Sequence, residues 1–116
     1  GMVALALGHT VTLTDGAPSL LSSLRKAVVS NCSKEEYSRA EVLELQWGCV
    51  QASAGAYDIV VAAECIYDVE TVVPFIDTCD TVLKGDGRVF VAFDTKIGRQ
   101  SAYKLFNELA EKYFKG

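Results

Sequence analysis

Residues 57–71, YDIVVAAECIYDVET, decide how the chain folds. The first half is an apolar run too short for a helix and rich in β-branched residues, which reads as a strand at 57–63. Being apolar on both faces, that strand is expected at the centre of its sheet. The second half places Glu64, Tyr67, Asp68 and Glu70 directly at the strand's exit. Asp68 and Glu70 are accounted for by the N-terminus of a following helix, where acids are favoured. Glu64 and Tyr67 are not, because they come straight off the buried strand.

Working outward, the same alternation repeats. HTVTLTD (9–15) and AEVLEL (40–45) read as strands before the central one, and RVFVAFD (88–94) as the strand after it. Between them lie helical stripes. Leu20, Leu21, Leu24, Ala27 and Val28 follow Pro18 on one face, and Val72, Val73, Ile76, Cys79, Val82 and Leu83 share another until KGDG (84–87) stops it. Ala102, Leu105, Phe106, Leu109, Tyr113 and Phe114 mark a last amphipathic helix, and MVALALG (2–8) reads as the end of a helix capped by Gly8. The expected order is α-β-α-β-loop-β-α-β-α. Strands alternating with helices imply a parallel α/β sheet with helices on both faces, a Rossmann-like arrangement.

Composition agrees with one folded unit. Half of the 116 residues are hydrophobic, and two are proline. The net charge of −4 argues against a general nucleic-acid binder. No apolar run is long enough to span a membrane, and the start lacks the basic region of a signal peptide. The four cysteines lie 14 to 17 positions apart with no CxxC pair and a single His9, which argues against an ordinary zinc site. Reduced thiols in a cytoplasmic or nuclear protein are the plain expectation. The sequon Asn31-Cys32-Ser33 is expected to be chance.

In open α/β sheets ligands sit beyond the carboxyl ends of the strands, so the exits are where chemistry is sought. Asp15 closes the first strand, where a carboxylate can accept the hydroxyls of a ribose or simply make a turn. Trp47, the only tryptophan, follows the second, and can lie against a flat heterocycle or plug the core. Ala62 and Ala63 are small enough for a ligand to approach the backbone. Asp94, Lys96 and Arg99 after the last strand are more ordinary as caps or solvated charges. Together the exits suggest a nucleoside cofactor with room for a cationic substrate.

HTVTLTD, LELQWG, YDIVVAAECIYDVET and VFVAF, in that order and spacing, resemble the seven-β-strand S-adenosylmethionine-dependent methyltransferases. They are most similar to the protein-lysine methyltransferases that modify chaperones, elongation factors and calmodulin. The resemblance implies that Asp15 holds the ribose hydroxyls, Trp47 contacts the adenine end and Ala63 lines the cofactor pocket through its backbone. Glu64 and Tyr67 would lie near the methyl group and the incoming lysine, on a protein substrate. Gln46 and Glu64 both stand where the family favours Asp.

The family's first strand and glycine loop fall upstream of residue 2. Gly1 is then either the last glycine of that loop, a further cofactor contact, or a cloning remnant. The family's last two strands fall downstream. The chain is therefore expected to be a single partial domain over 1–116. Its sheet edge would be exposed and prone to self-association, and its independent catalysis is in doubt. Two rivals stand beside this expectation: another nucleotide-binding Rossmann enzyme using NAD, and a catalytically incomplete methyltransferase-like interaction module.

Overall fold

The computed structural model describes residues 2–48, 54–63, 66, 68–92 and 100–114. The chain divides into two compact units, Gly1–Gln46 and Trp47–Gly116.

The first unit runs α1 (Met2–Ala6), β1 (Val11–Asp15), α2 (Pro18–Asn31), α3 (Lys34–Ser38) and β2 (Ala40–Glu44). β1 and β2 pair in parallel, from Val11 opposite Ala40 to Asp15 opposite Glu44. Parallel neighbours need a long crossover, and α2 with α3 supplies it. Pro18 starts α2 because its missing N–H costs nothing in a first turn. Leu21 and Val28 are buried, two turns apart on one face, whereas Leu20, expected on the same stripe, is exposed.

The expected order omits α3, a five-residue helix opened by a reciprocal cap. The Ser33 hydroxyl accepts the Glu36 N–H, and the Glu36 carboxylate accepts the Ser33 N–H at 2.8 Å. Those bonds hold the Glu36 carboxyl below its usual range. From the turn after α3, the Arg39 guanidinium donates to the carbonyls of Leu5 and His9, each at 2.9 Å. The Leu5 carbonyl, at the end of α1, also accepts the Gly8 N–H at 3.1 Å. Gly8 closes α1 with φ at 95°, as its place after the last apolar residue predicts.

The second unit runs β3 (Tyr57–Ala63), α4 (Val69–Val82), β4 (Leu83–Ala92) and α5 (Gln100–Tyr113). β3 has the bounds that the sequence predicts, and it pairs in parallel with β4. Ala62, Ile66, Val72, Phe75, Ile76, Cys79, Ala102, Tyr103 and Phe106 form the core beneath that pair, and Phe75 meets Phe106 with ring centroids 6.0 Å apart.

Two expectations for this sheet are corrected. β4 begins at Leu83 rather than 88, so KGDG lies inside the strand. Tyr57 pairs with Leu83 and Ile59 with Arg88, and the extra residues between are accommodated as an irregularity. The buried Leu83 side chain draws the early pairing, and Gly87 lets the chain fit beside it. Nor is β3 covered on both faces. Ile59 is 54% exposed and Val61 75%, beside Phe90 at 54% on the same face of β4. Among the described residues β3 pairs only with β4, and β1 only with β2.

Candidate functional site

At the exit of β1 the ladder continues one step past the strand: the Leu45 N–H donates to the Asp15 carbonyl at 3.0 Å. The half-buried Asp15 side chain folds back, and its Oδ1 accepts the Ala17 N–H at 2.9 Å. This is an Asx turn, one of the two readings open from the sequence, and it fixes the carboxylate at the strand's carboxyl end. Among the described residues Oδ2 has no hydrogen-bond partner. A carboxylate oxygen has a second lone pair, so a held Oδ1 and an open Oδ2 can still accept two neighbouring hydroxyls. Gln46 Nε2 donates to the carbonyl of Gly16 in the same turn.

In the second unit Trp47 is half-buried and meets the edge of Phe75, with centroids 4.8 Å apart and planes at 63°. That is the core-packing reading of this tryptophan. Gly48 follows with φ at 89°, a region that favours glycine. Its N–H donates to the Thr78 hydroxyl at 2.8 Å, and that hydroxyl donates in turn to the Pro74 carbonyl. Thr78, a buried polar residue the sequence reading passed over, thus ties the Trp47 segment to α4. Its apolar neighbours gave no hint of the role.

Ala63 ends β3 opposite Ala92. Ala62 beside it is buried, and Ala63 itself is exposed. Gly1, Glu64 and Tyr67, the remaining candidates, lie outside the described residues, as do Cys65, Asp94, Lys96 and Arg99. Two surface grooves of the second unit lie among the described residues, one on α5 beside Tyr103 and Asn107 and one between α4 and α5 beside Ile76 and Leu109. Neither groove takes in Trp47 or Ala63. Among the described residues no group of His, Cys, Asp or Glu is placed to hold a metal ion, and no helix is long and apolar enough to cross a membrane.

Parallel strands joined through helices define a Rossmann-like α/β fold. Within that class the sequence is specific. A profile of the lysine methyltransferase family matches residues 1–112, and the chain belongs to that family. It is similar to protein N-lysine methyltransferase METTL21A of Danio rerio, 29% identical over 115 residues covering 97% of this chain and 51% of that protein. It is also similar to protein N-lysine methyltransferase METTL21A of Xenopus tropicalis, 35% identical over 78 residues, 67% of this chain and 36% of that protein. The chain spans about half the length of the curated relatives it matches.

Proposed function

We propose that the chain carries the ribose-binding part of an S-adenosylmethionine site in a methyltransferase that acts on a protein lysine. The family match across 1–112 carries this reading. One observation supports it: Asp15 ends β1 as a turn-held carboxylate with an oxygen facing no protein donor among the described residues. That is the acceptor a vicinal diol needs. Ala63 would let the cofactor lie close to the β3 backbone. Trp47, half-buried on Phe75, would offer adenine whatever ring surface stays accessible. The two units are read as parts of one domain, because the family match runs through both.

When bound, S-adenosylmethionine supplies a methyl group on a positively charged sulfur. A lysine amine attacks only when neutral, and its ordinary pKa of about 10.4 keeps it protonated at pH 7. Glu64 and Tyr67, assigned by the resemblance, are the residues we propose to receive that amine and align its lone pair. Their roles predict separate losses: Glu64→Gln and Tyr67→Phe lower methyl transfer while leaving cofactor affinity nearly intact.

Equilibrium dialysis against radiolabelled S-adenosylmethionine tests the reading. Unlabelled S-adenosylhomocysteine should displace the label, and NAD should not. Displacement by NAD alone would reassign the chain to a nicotinamide-dependent enzyme.

A further inference from the structure

We infer that Gln46 is a positioning residue for the Asp15 carboxylate, acting through the peptide between Gly16 and Ala17. The inference rests on Asp15 being the acceptor of the ribose hydroxyls. The Gly16 carbonyl and the Ala17 N–H belong to one planar peptide unit and point in opposite directions. Gln46 Nε2 holds the carbonyl end of that unit, and Asp15 Oδ1 takes the N–H end at 2.9 Å. Fixing one end fixes the other. The amide of Gln46 therefore sets the direction from which the carboxylate is held, and with it the direction in which Oδ2 faces.

Two neighbouring features make the relay stiff. The main chain of β2 is locked to β1 up to this point by the Leu45 N–H bond to the Asp15 carbonyl, so Gln46 starts from a fixed base. Gly16 lies against that base: a Cβ there would stand at ordinary contact distance, 3.4 Å from the Leu45 carbonyl oxygen and 3.6 Å from Gln46 Oε1. Every atom of the relay lies in the first unit.

The test uses the full chain and two probes, S-adenosylhomocysteine and its 2′-deoxy analogue, with calorimetry for affinity and NMR for exchange of the Ala17 amide. Gln46 is exposed, so Gln46→Met removes the donor without disturbing the core. The unsubstituted chain should prefer the ribose ligand by about tenfold or more, since hydrogen bonds to a charged acceptor are at stake. Gln46→Met should cut that preference about fivefold, the worth of one ordinary hydrogen bond, and leave the deoxy ligand within about twofold. The Ala17 amide should exchange faster. An Asp15→Ala chain should show no preference at all.

A Gln46→Met chain that keeps its preference and its slow Ala17 amide, while Asp15→Ala loses the preference, overturns the role of Gln46 alone. Equal weakening of both ligands makes Gln46 merely structural and also overturns it. If the unsubstituted chain shows no ribose preference, or binds neither ligand, the reading of Asp15 fails and the inference falls with it.

Discussion

A side chain at residue 87 has nowhere to go. A Cβ built on Gly87 would lie 2.8 Å from Leu83 Cδ2 and 3.0 Å from both Leu83 Cβ and the Lys84 carbonyl oxygen. The first contact can yield by a rotamer change, but the other two involve atoms close to or in the backbone. Gly87→Ala should therefore cost about 1–3 kcal/mol, whereas Gly85→Ala, which meets nothing within 4 Å, should be nearly neutral. Chemical denaturation of the two variants checks the contrast. Cys79 makes a second residue-scale case. Burial, with the Asp80 charge adding to it, pushes its thiol from an ordinary 9.0 up to about 12. A raised folded value means that the stability from keeping the thiol neutral is complete below pH 9.0 and is lost as pH rises toward about 12. At neutral pH the thiol is neutral and enclosed, so iodoacetamide should modify the Cys79 peptide in urea and spare it in buffer. The core role of Cys79 was legible from its place on the helical stripe. The crowding at Gly87 was not, because it arises from a strand pairing that begins before the glycines.

At the scale of elements, one hydroxyl joins a loop to a helix. Thr78 accepts from the Gly48 N–H and donates to the Pro74 carbonyl, next to the Trp47–Phe75 contact. Thr78→Val keeps the shape, removes the acceptor of the Gly48 N–H, and should destabilise the second unit by about 0.5–1.5 kcal/mol. Trp47 emission should shift red as the indole loosens, which a fluorescence spectrum reads directly. The elements themselves were largely legible. β3 was read with its true bounds because a continuous apolar run between polar residues has few alternatives. The helix α3 was missed although its signal was present: Ser33-Lys34-Glu35-Glu36 is a capping-box sequence. The helix has only five residues after the Ser33 cap, none of them buried, so it carries no apolar stripe. The early start of β4 was hidden for the opposite reason. KGDG has turn chemistry, and only the pairing of Leu83 with Tyr57 overrides it.

For the molecule as a whole, the alternation of strands and helices fixed the α/β class and the parallel pairing. The coverage of each sheet was not legible, because it depends on what packs against a face rather than on the face's own sequence. Ile59, Val61 and Phe90 form an apolar face open to solvent, and β1 and β3 each pair on one side among the described residues. Open edges and bare apolar faces favour association between copies. Sedimentation should show larger species growing with concentration, and Val61→Lys should shift the distribution toward monomer with little loss of stability. A chain that stays monomeric at every concentration would contradict this. The candidate site was legible only in part: the sequence located Asp15, Trp47 and Ala63 at strand exits, but not the turn that holds Asp15 or the Phe75 edge that holds Trp47.

The central claim is that the exit of β1 holds the ribose of S-adenosylmethionine. Its most direct test is a titration of S-adenosylmethionine into the chain, followed through Trp47, the sole indole. A saturable change in emission is expected, weakening about tenfold or more in Asp15→Ala, the cost of losing a charged hydrogen-bond acceptor. A saturable change of equal affinity in Asp15→Ala, or none in a chain shown to be folded, would contradict it.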